Sequence, residues 1–146
     1  MKFETMENVK RIKSFYDALA HGDVASARHV LDMNIEWIEP KAPGIWFSGT
    51  HRGAEAVFEE VLQPAGEEIE KLQLKMKRFF PVGSTVIAIG TFRGRGRATR
   101  LELNVPTAHI WTLHEGKAVR MEAFHDMVEW HITLGLASVQ AESMAA

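Results

Sequence analysis

The sequence predicts an α+β fold in which three helices from the N-terminal half cover the concave side of a mostly antiparallel sheet. Two observations predict it. Apolar residues recur at helical spacing early in the chain and again at residues 54–62. From residue 72 to residue 125 most segments read as strands and are separated by turns that contain glycine. Helices followed by successive antiparallel strands indicate helices packed on one side of a sheet.

The composition is that of one ordinary globular domain, residues 1–146, and it excludes several classes of protein. The formal net charge of −2 lacks the concentrated positive field that a nucleic-acid partner would need. Cysteine is absent, which excludes disulfides and thiolate chemistry. The charged N-terminal segment has no apolar leader and no later segment approaches a membrane span, so we expect a cytoplasmic protein without a membrane partner.

Two helices are predicted at the start of the chain. Gly22 is a natural stop for the first helix, and Asp23 is a good N-cap for a short second one. The first helix is recognised by an apolar stripe at helical spacing, formed by Val9, Ile12, Tyr16 and Leu19.

A strand and a third helix are predicted next. The strand at residues 34–39 stops at a proline and leads into a loop at 40–53. The third helix covers about 54–62 and is predicted to end there, because Pro64 and Gly66 follow.

The second half of the chain reads as an antiparallel meander. Strands are predicted at 72–77, 85–92 and 101–113, and the RGRGR segment at 93–97 is predicted to be a turn. In the long strand 101–113 the odd positions form the inward face.

The last hairpin decides which face the final strand turns inward. A three-residue loop at 114–116 would pair residue 113 with residue 117, so that odd positions face odd positions, whereas a two-residue turn would oppose the two inward faces. The inward positions of the final strand are then Val119, Met121, Ala123 and His125. A short helix at about 127–134 follows, with Asp126 as its N-cap.

Strand parity places ionisable side chains on the concave face. Glu39 shares a face with Trp37 on the first strand, and His109 lies between Thr107 and Trp111 on the long strand. Ionisable groups in an apolar concavity are costly unless they are paired, and their pKa values move toward useful ranges. We therefore interpret Glu39 and His109 as candidate catalytic residues, with Tyr16 on the apolar stripe of the first helix as a third.

The ordinary interpretations of these residues stay open. His109 could be a hydrogen-bonded core residue, Glu39 could be solvated where its strand ends, and Tyr16 could be a core residue whose hydroxyl is satisfied. The spacing of His109, His125 and His131 is not that of a helix-borne zinc site, so neither a metal nor a cofactor is predicted.

Two segments resemble a known group of families. FYDALAHGDVASARHVLDMNIEWIEP resembles the opening of the SnoaL-like and ketosteroid-isomerase-like families of the nuclear transport factor 2-like superfamily. The shared pattern is a helix ending in Gly-Asp, a short helix, and a strand with an acidic residue before proline. AHIWTLHEGKAVRMEAFHD resembles their last hairpin, which closes the cone.

This resemblance implies a cone-shaped roll, in which the curved sheet and the helices enclose a pocket for a small apolar molecule. It also suggests a cofactor-independent isomerase or cyclase that moves a proton next to a carbonyl of a ring-containing substrate. Glu39 falls where ketosteroid isomerases keep their general base. Tyr16 falls near their oxyanion-hole tyrosine, and His109 falls where they keep a protonated aspartate. The remaining predicted substrate-binding residues are Trp37, Trp46, Phe92, Trp111, Met121 and His125.

Two other interpretations of function stay open. The same pocket could bind a hydrophobic ligand without turnover, or it could be vestigial in a dimerisation module. A two-fold homodimer is predicted in any case, because the convex face of the sheet would expose an apolar patch formed by Ala108, Ile110, Thr112, Ala118 and Phe124.

Overall fold

Two helices open the computed structural model, which describes residues 2–136 of the chain. They are α1 (Lys2–Ala20) and α2 (Val24–Val30). The Asp23 side chain accepts a hydrogen bond from the backbone N–H of Ser26 at 3.1 Å, so the predicted N-cap is confirmed. Residues 137–146, the end of the predicted domain, lie outside the described part.

Six strands form one curved, mostly antiparallel sheet, as predicted, in the order β2-β1-β6-β5-β4-β3. Within residues 2–136, the pairing of β1 with β6 is the only parallel one. The first strand begins three residues earlier than predicted, and β2 is a short strand inside the segment that was predicted to be all loop. The strands are β1 (Leu31–Ile38), β2 (Thr50–Arg52), β3 (Ile69–Val82), β4 (Thr85–Gly96), β5 (Glu102–His114) and β6 (Lys117–His125).

The third helix is longer than predicted, and its predicted end at Leu62 is wrong. It runs as α3 (Ala54–Ala56), a π-helical segment (Val57–Leu62) and α4 (Gln63–Glu68). Pro64 is tolerated because it lies in the first turn of α4, after the π-helical segment.

The last helix, α5 (Met127–Leu134), begins at the predicted N-cap, where Asp126 accepts from the N–H groups of Val128 and Glu129. No helix of residues 2–136 is long and apolar enough to cross a membrane.

The RGRGR segment is not the predicted turn. Residues 93–96 continue β4 and pair with β5 as far as Arg95 opposite Glu102, with an Arg95 Nη2 to Glu102 Oε1 distance of 2.7 Å. The chain reverses only after Gly96. Glycine inside this strand reflects a close approach of β3 rather than a turn.

The last hairpin has a two-residue turn, so the predicted three-residue loop is wrong. Glu115 and Gly116 both have positive φ, 48° and 80°, as a type I′ turn requires. A β-bulge then inserts Val119, because the register steps from Leu113 opposite Ala118 to Thr112 opposite Arg120.

This bulge restores the predicted pairing of inward faces. Trp111 lies opposite Met121, and His109 lies opposite Ala123. The residue before the bulge, Ala118, is fully buried and faces inward in place of Val119. Ala118 therefore does not belong to the convex patch in which it was predicted.

Glycine in β4 lets the edge strand β3 curve over the pocket. β3 has two register irregularities against β4, at Glu70–Gln73 and at Met76–Arg78. A Cβ placed on Gly90 would lie 2.0 Å from the carbonyl oxygen of Lys75. The backbones are therefore too close here for any side chain.

We predict that Gly90→Ala destabilises the fold by about 1–3 kcal/mol, because the methyl group must push β3 away from β4. Gly66→Ala in α4 is the matched control. A Cβ there meets no atom of the described chain within 4 Å, so the variant should match wild type or gain up to about 1 kcal/mol of helix propensity. Urea unfolding measures both, and equal stability of the two variants would contradict the close approach.

Candidate functional site

The predicted pocket lies between the concave face of the sheet and the helices, with a volume of about 400 Å³. Ionisable groups in its wall include Glu39, His109 and His125, and Lys75 lies on the edge strand where its side chain is exposed. Aromatic side chains make up much of the remaining lining, namely Phe15, Tyr16, Trp37, Trp46, Phe47, Phe92 and Trp130. The site is thus a largely apolar chamber with a few fixed polar groups, as ligand pockets usually are.

A hydrogen-bonded chain of three side chains ends at His109. The indole N–H of Trp111 donates to Tyr16 Oη at 2.8 Å, and Tyr16 Oη lies 2.7 Å from His109 Nδ1. An indole only donates, so the tyrosine oxygen accepts from Trp111, and among the described residues His109 Nδ1 is the acceptor within reach of the tyrosine's own hydrogen. When Tyr16 donates to Nδ1, the proton of the neutral imidazole is on Nε2.

His109 Nε2–H is the free end of this chain. In the part of the chain that the structure describes, no group accepts a hydrogen bond from Nε2. The same residues leave no fully buried side-chain nitrogen or oxygen without a partner, so Nε2 is not fully buried. It is therefore accessible from the pocket that His109 lines. The site presents one N–H donor here to a ligand.

Burial keeps both titratable members of this chain uncharged. Burial, with a smaller electrostatic contribution from the neighbouring His125, lowers the pKa of His109 from 6.5 to about 3. Burial also raises the pKa of Tyr16 far above its usual range, more than the hydrogen bond from Trp111 lowers it. His109 is a neutral hydrogen-bond donor at physiological pH.

A second chain of hydrogen bonds holds Glu39. Trp37 Nε1–H donates to Glu39 Oε2 at 2.8 Å, and His125 Nε2 lies 3.1 Å from Glu39 Oε1. Trp130 Nε1–H donates in turn to His125 Nδ1 at 2.6 Å. Each carboxylate oxygen accepts one N–H and keeps a lone pair, so Glu39 can still accept a proton from a ligand in the pocket.

The parallel pairing of β1 with β6 brings Glu39 and His125 together. Trp37 lies opposite Met121 and Ile38 opposite Glu122, so β1 ends near the end of β6, which continues to His125. Glu39 directly follows β1, and His125 is the last residue of β6. Glu39 is 8 % exposed, so it is not the solvated strand end that the sequence left open.

Phe92 packs against both histidines and places them on one wall. Its ring centroid is 6.2 Å from that of His109 and 5.9 Å from that of His125. The hydrogen-bonded side chains that end at His109 and those that include His125 therefore face the same pocket, from the adjacent strands β5 and β6.

The loop after β1 brings two aromatic rings to the pocket. Trp46 Nε1–H donates to the carbonyl oxygen of Val61 in the π-helical segment at 2.9 Å. His51 bridges the same two parts of the chain, with Nε2 at 2.8 Å from Phe47 O and Nδ1 at 2.8 Å from Glu60 Oε1. Two independent contacts thus fix this wall.

The structure places most of the predicted site residues around one pocket, and it excludes two of them from the lining. Trp111 and Met121 are fully buried behind the wall, where Trp111 supports Tyr16. Phe47 and Trp130 line the pocket but were not predicted to do so. Trp130 carries no sequence signal beyond its place in a short apolar helix.

Within residues 2–136 no three His, Asp or Glu side chains are grouped to hold an ion. The ring nitrogens of His125 are both engaged by other side chains.

Comparison with known proteins identifies the family. The SnoaL-like domain model matches residues 12–121, most of the chain. The chain belongs to the SnoaL-like domain family. No curated protein matches this SnoaL-like domain significantly.

Solved structures share the fold of this SnoaL-like domain. TerC, co-crystallised with polyporic acid, is 24% identical, with a TM-score of 0.80 over 88% of this chain and 98% of that one. An NTF2-like protein from Burkholderia thailandensis is 27% identical, with a TM-score of 0.77 over 90% of this chain and 96% of that one. A putative SnoaL-like polyketide cyclase from Jannaschia is 15% identical, with a TM-score of 0.76 over 88% and 92%.

We predict that His109 makes the folded state less stable in acid. Its pKa is about 3 when folded and near 6.5 when unfolded, so between these values the unfolded state binds a proton that the folded state does not. As the pH falls through this range, His109 therefore lowers the free energy of unfolding by up to about 1.4 kcal/mol per pH unit.

His109→Gln tests this, because its amide oxygen can still accept from Tyr16. Urea unfolding at pH 7, 5.5 and 4 should show a smaller loss of stability in the variant than in wild type. The carboxylates titrate in both proteins, so the difference isolates His109. Parallel losses would show that His109 is not held neutral.

Proposed function

We propose that this SnoaL-like domain is a cofactor-independent isomerase or cyclase that moves a proton next to a carbonyl of an apolar, ring-containing molecule. One observation carries the proposal: the aromatic pocket holds a carboxylate acceptor, Glu39, and a neutral N–H donor, His109 Nε2, at fixed positions in its wall. A base and an oxyanion donor are the two groups that enolisation requires.

Glu39 is the general base in this proposal. It takes the proton from the carbon next to the carbonyl, which leaves an enolate, and it returns the proton to another carbon. The bonds from Trp37 and His125 fix the carboxylate in place.

His109 stabilises the enolate oxygen by donating from Nε2. Tyr16 acts through His109 rather than on the ligand, because its single hydroxyl hydrogen is already directed to Nδ1. The rings of Trp37, Trp46 and Phe92, which line the pocket, hold the apolar part of the substrate in this proposal.

The neighbouring structures support a ring-containing ligand. One of them was crystallised with polyporic acid, and another is a putative SnoaL-like polyketide cyclase. The pocket volume of about 400 Å³ lies in the range of sites for molecules of drug-like size.

We predict that Glu39→Gln lowers proton exchange by about 10²–10⁴-fold, because it removes the base. The measurement is deuterium uptake at the carbon next to the carbonyl of a bound cyclic ketone, followed by NMR in heavy water. Tryptophan fluorescence quenching first establishes which ketones bind.

The amide of Glu39→Gln would turn an N–H toward Trp37 or His125, so the variant must be shown to be folded and to bind the ketone. Exchange at the wild-type rate in the folded, ligand-bound variant would show that Glu39 is not the base.

The second candidate function is ligand binding without turnover. It is favoured by the same hydrogen bonds that hold Glu39, since N–H groups of the protein already occupy one lone pair of each oxygen. Ketones that quench fluorescence but exchange no faster than in buffer would favour this function over the enzyme.

We also propose that the protein is a two-fold homodimer through the convex face of its sheet. Phe124 is 50% exposed there, opposite Ala108, and Phe80 on the edge strand is 44% exposed. Beside this apolar surface Arg120 pairs with both Glu36 and Glu122. A surface that carries both signs of charge is complementary to a second copy of itself.

Phe124→Asp should convert the dimer to a monomer, because it places a charge in the centre of the apolar contact. Val128→Asp, at a 64% exposed position on α5, is the control and should stay dimeric. Sedimentation at micromolar concentration measures both. A wild-type protein that sediments as a single chain would refute the dimer.

A further inference from the structure

We propose that Trp130 is a positioning residue that fixes His125 as the neutral Nε2–H tautomer, so that His125 offers an N–H to Glu39. The catalytic consequence rests on the proposed role of Glu39 as the base. The tautomer itself follows from the hydrogen bonds alone.

The first step is the bond between α5 and β6. The indole of Trp130 can only donate, and its N–H is 2.6 Å from His125 Nδ1. Nδ1 must therefore present its lone pair. The proton of the neutral ring then lies on Nε2, which is 3.1 Å from Glu39 Oε1 and donates to it.

The other protonation states of His125 conflict with its neighbours. The Nδ1–H tautomer would set N–H against N–H at Trp130 and a lone pair against the carboxylate at Glu39. The imidazolium keeps the first of these conflicts. The His125 side chain is only 2% exposed, so water is poorly placed to relieve it.

Few charged groups face His125. Glu39, after β1, is its hydrogen-bond partner, and His109 on β5 is the nearby titratable group, held neutral by burial. The rings of Phe47 and Phe92 also pack against the imidazole of His125, and Phe47 is stacked on it with 5.3 Å between the ring centroids. The Trp130 N–H is therefore the group that decides whether Nδ1 can take a proton.

Removing the N–H of Trp130 should allow His125 to form an ion pair with Glu39. Without this donor, Nδ1 of His125 can take up a proton, and the resulting imidazolium pairs with the carboxylate. A carboxylate in such an ion pair is a weaker acceptor for the proton of a substrate. Trp130 thereby keeps the partner of Glu39 a neutral N–H donor.

Trp130→Phe tests the proposal, because it keeps an aromatic ring and removes only the N–H donor end. Histidine ¹⁵N NMR of wild type should show the Nε2–H tautomer of His125 at neutral pH. The variant should instead lose this fixed tautomer and show signals of the Nδ1–H form or of the imidazolium.

Trp46→Phe is the matched control. It also removes an indole N–H from the pocket wall, but that N–H is donated to the carbonyl oxygen of Val61 and not to a histidine. The tautomer of His125 should therefore stay as in wild type in this variant. A change of tautomer in both variants would assign the effect to general loosening of the pocket and would overturn the proposal.

The exchange assay gives the second readout. Proton exchange by Trp130→Phe should be slower than in wild type at the same pH and ligand saturation, because an imidazolium beside Glu39 makes the carboxylate a weaker proton acceptor. Absence of exchange in wild type would refute the proposed function, and the NMR measurement would still decide the tautomer. A wild-type His125 that carries its proton on Nδ1, or on both ring nitrogens at neutral pH, would overturn the inference even if the variant did not fold.

Discussion

The donor-only chemistry of the indole ring is the constraint on which the candidate site depends. All four tryptophans of the chain donate their N–H to an acceptor inside the protein. Three of these acceptors are side chains of the site, Glu39, Tyr16 and His125, and the fourth is a backbone carbonyl that fixes the pocket wall. Because a buried N–H without a partner is costly, the same four bonds that stabilise the core also set the orientation of the polar groups.

The sheet brings these bonds together only because a β-bulge corrects the register between β5 and β6. A two-residue turn after β5 would have set the inward face of that strand against the outward face of β6. The extra residue of the bulge, Val119, shifts the register by one residue, so that the inward faces of β5 and β6 pair. The buried pair Trp111–Met121 follows from this shift. The alternation of β5 predicted the face that is buried, and it could not predict how the hairpin would preserve it. Likewise, the glycines of β4 read as a turn because a close approach between strands leaves no local signal.

The part of the site that could be predicted is the part that follows strand parity. Parity placed Glu39 and His109 on one concave face, and the helical stripe added Tyr16, which meets His109 across 93 positions of sequence. The pairing of Glu39 with His125 was out of reach, because it needs the parallel alignment of β1 with β6, which hydrophobic patterns do not encode. Trp130 was missed for a related reason. A tryptophan on an apolar helix is ordinarily a core residue, and only the tertiary structure shows that its polar edge meets a histidine.

The protonation states of the hydrogen-bonded side chains around the pocket restrict how a proton could move within it. Tyr16 does not release its hydroxyl proton, since burial raises its pKa, and His109 does not carry a second proton near neutral pH, since its pKa is about 3. The oxygen end of a bound carbonyl compound can therefore receive a hydrogen bond but no net proton from this wall. In the proposed reaction, a proton removed by Glu39 would then return through Glu39, to the face of the substrate from which it left. A site of this kind suits the transfer of one proton between two carbons on the same face of a ring, and it is poorly suited to a reaction that needs separate acid and base groups.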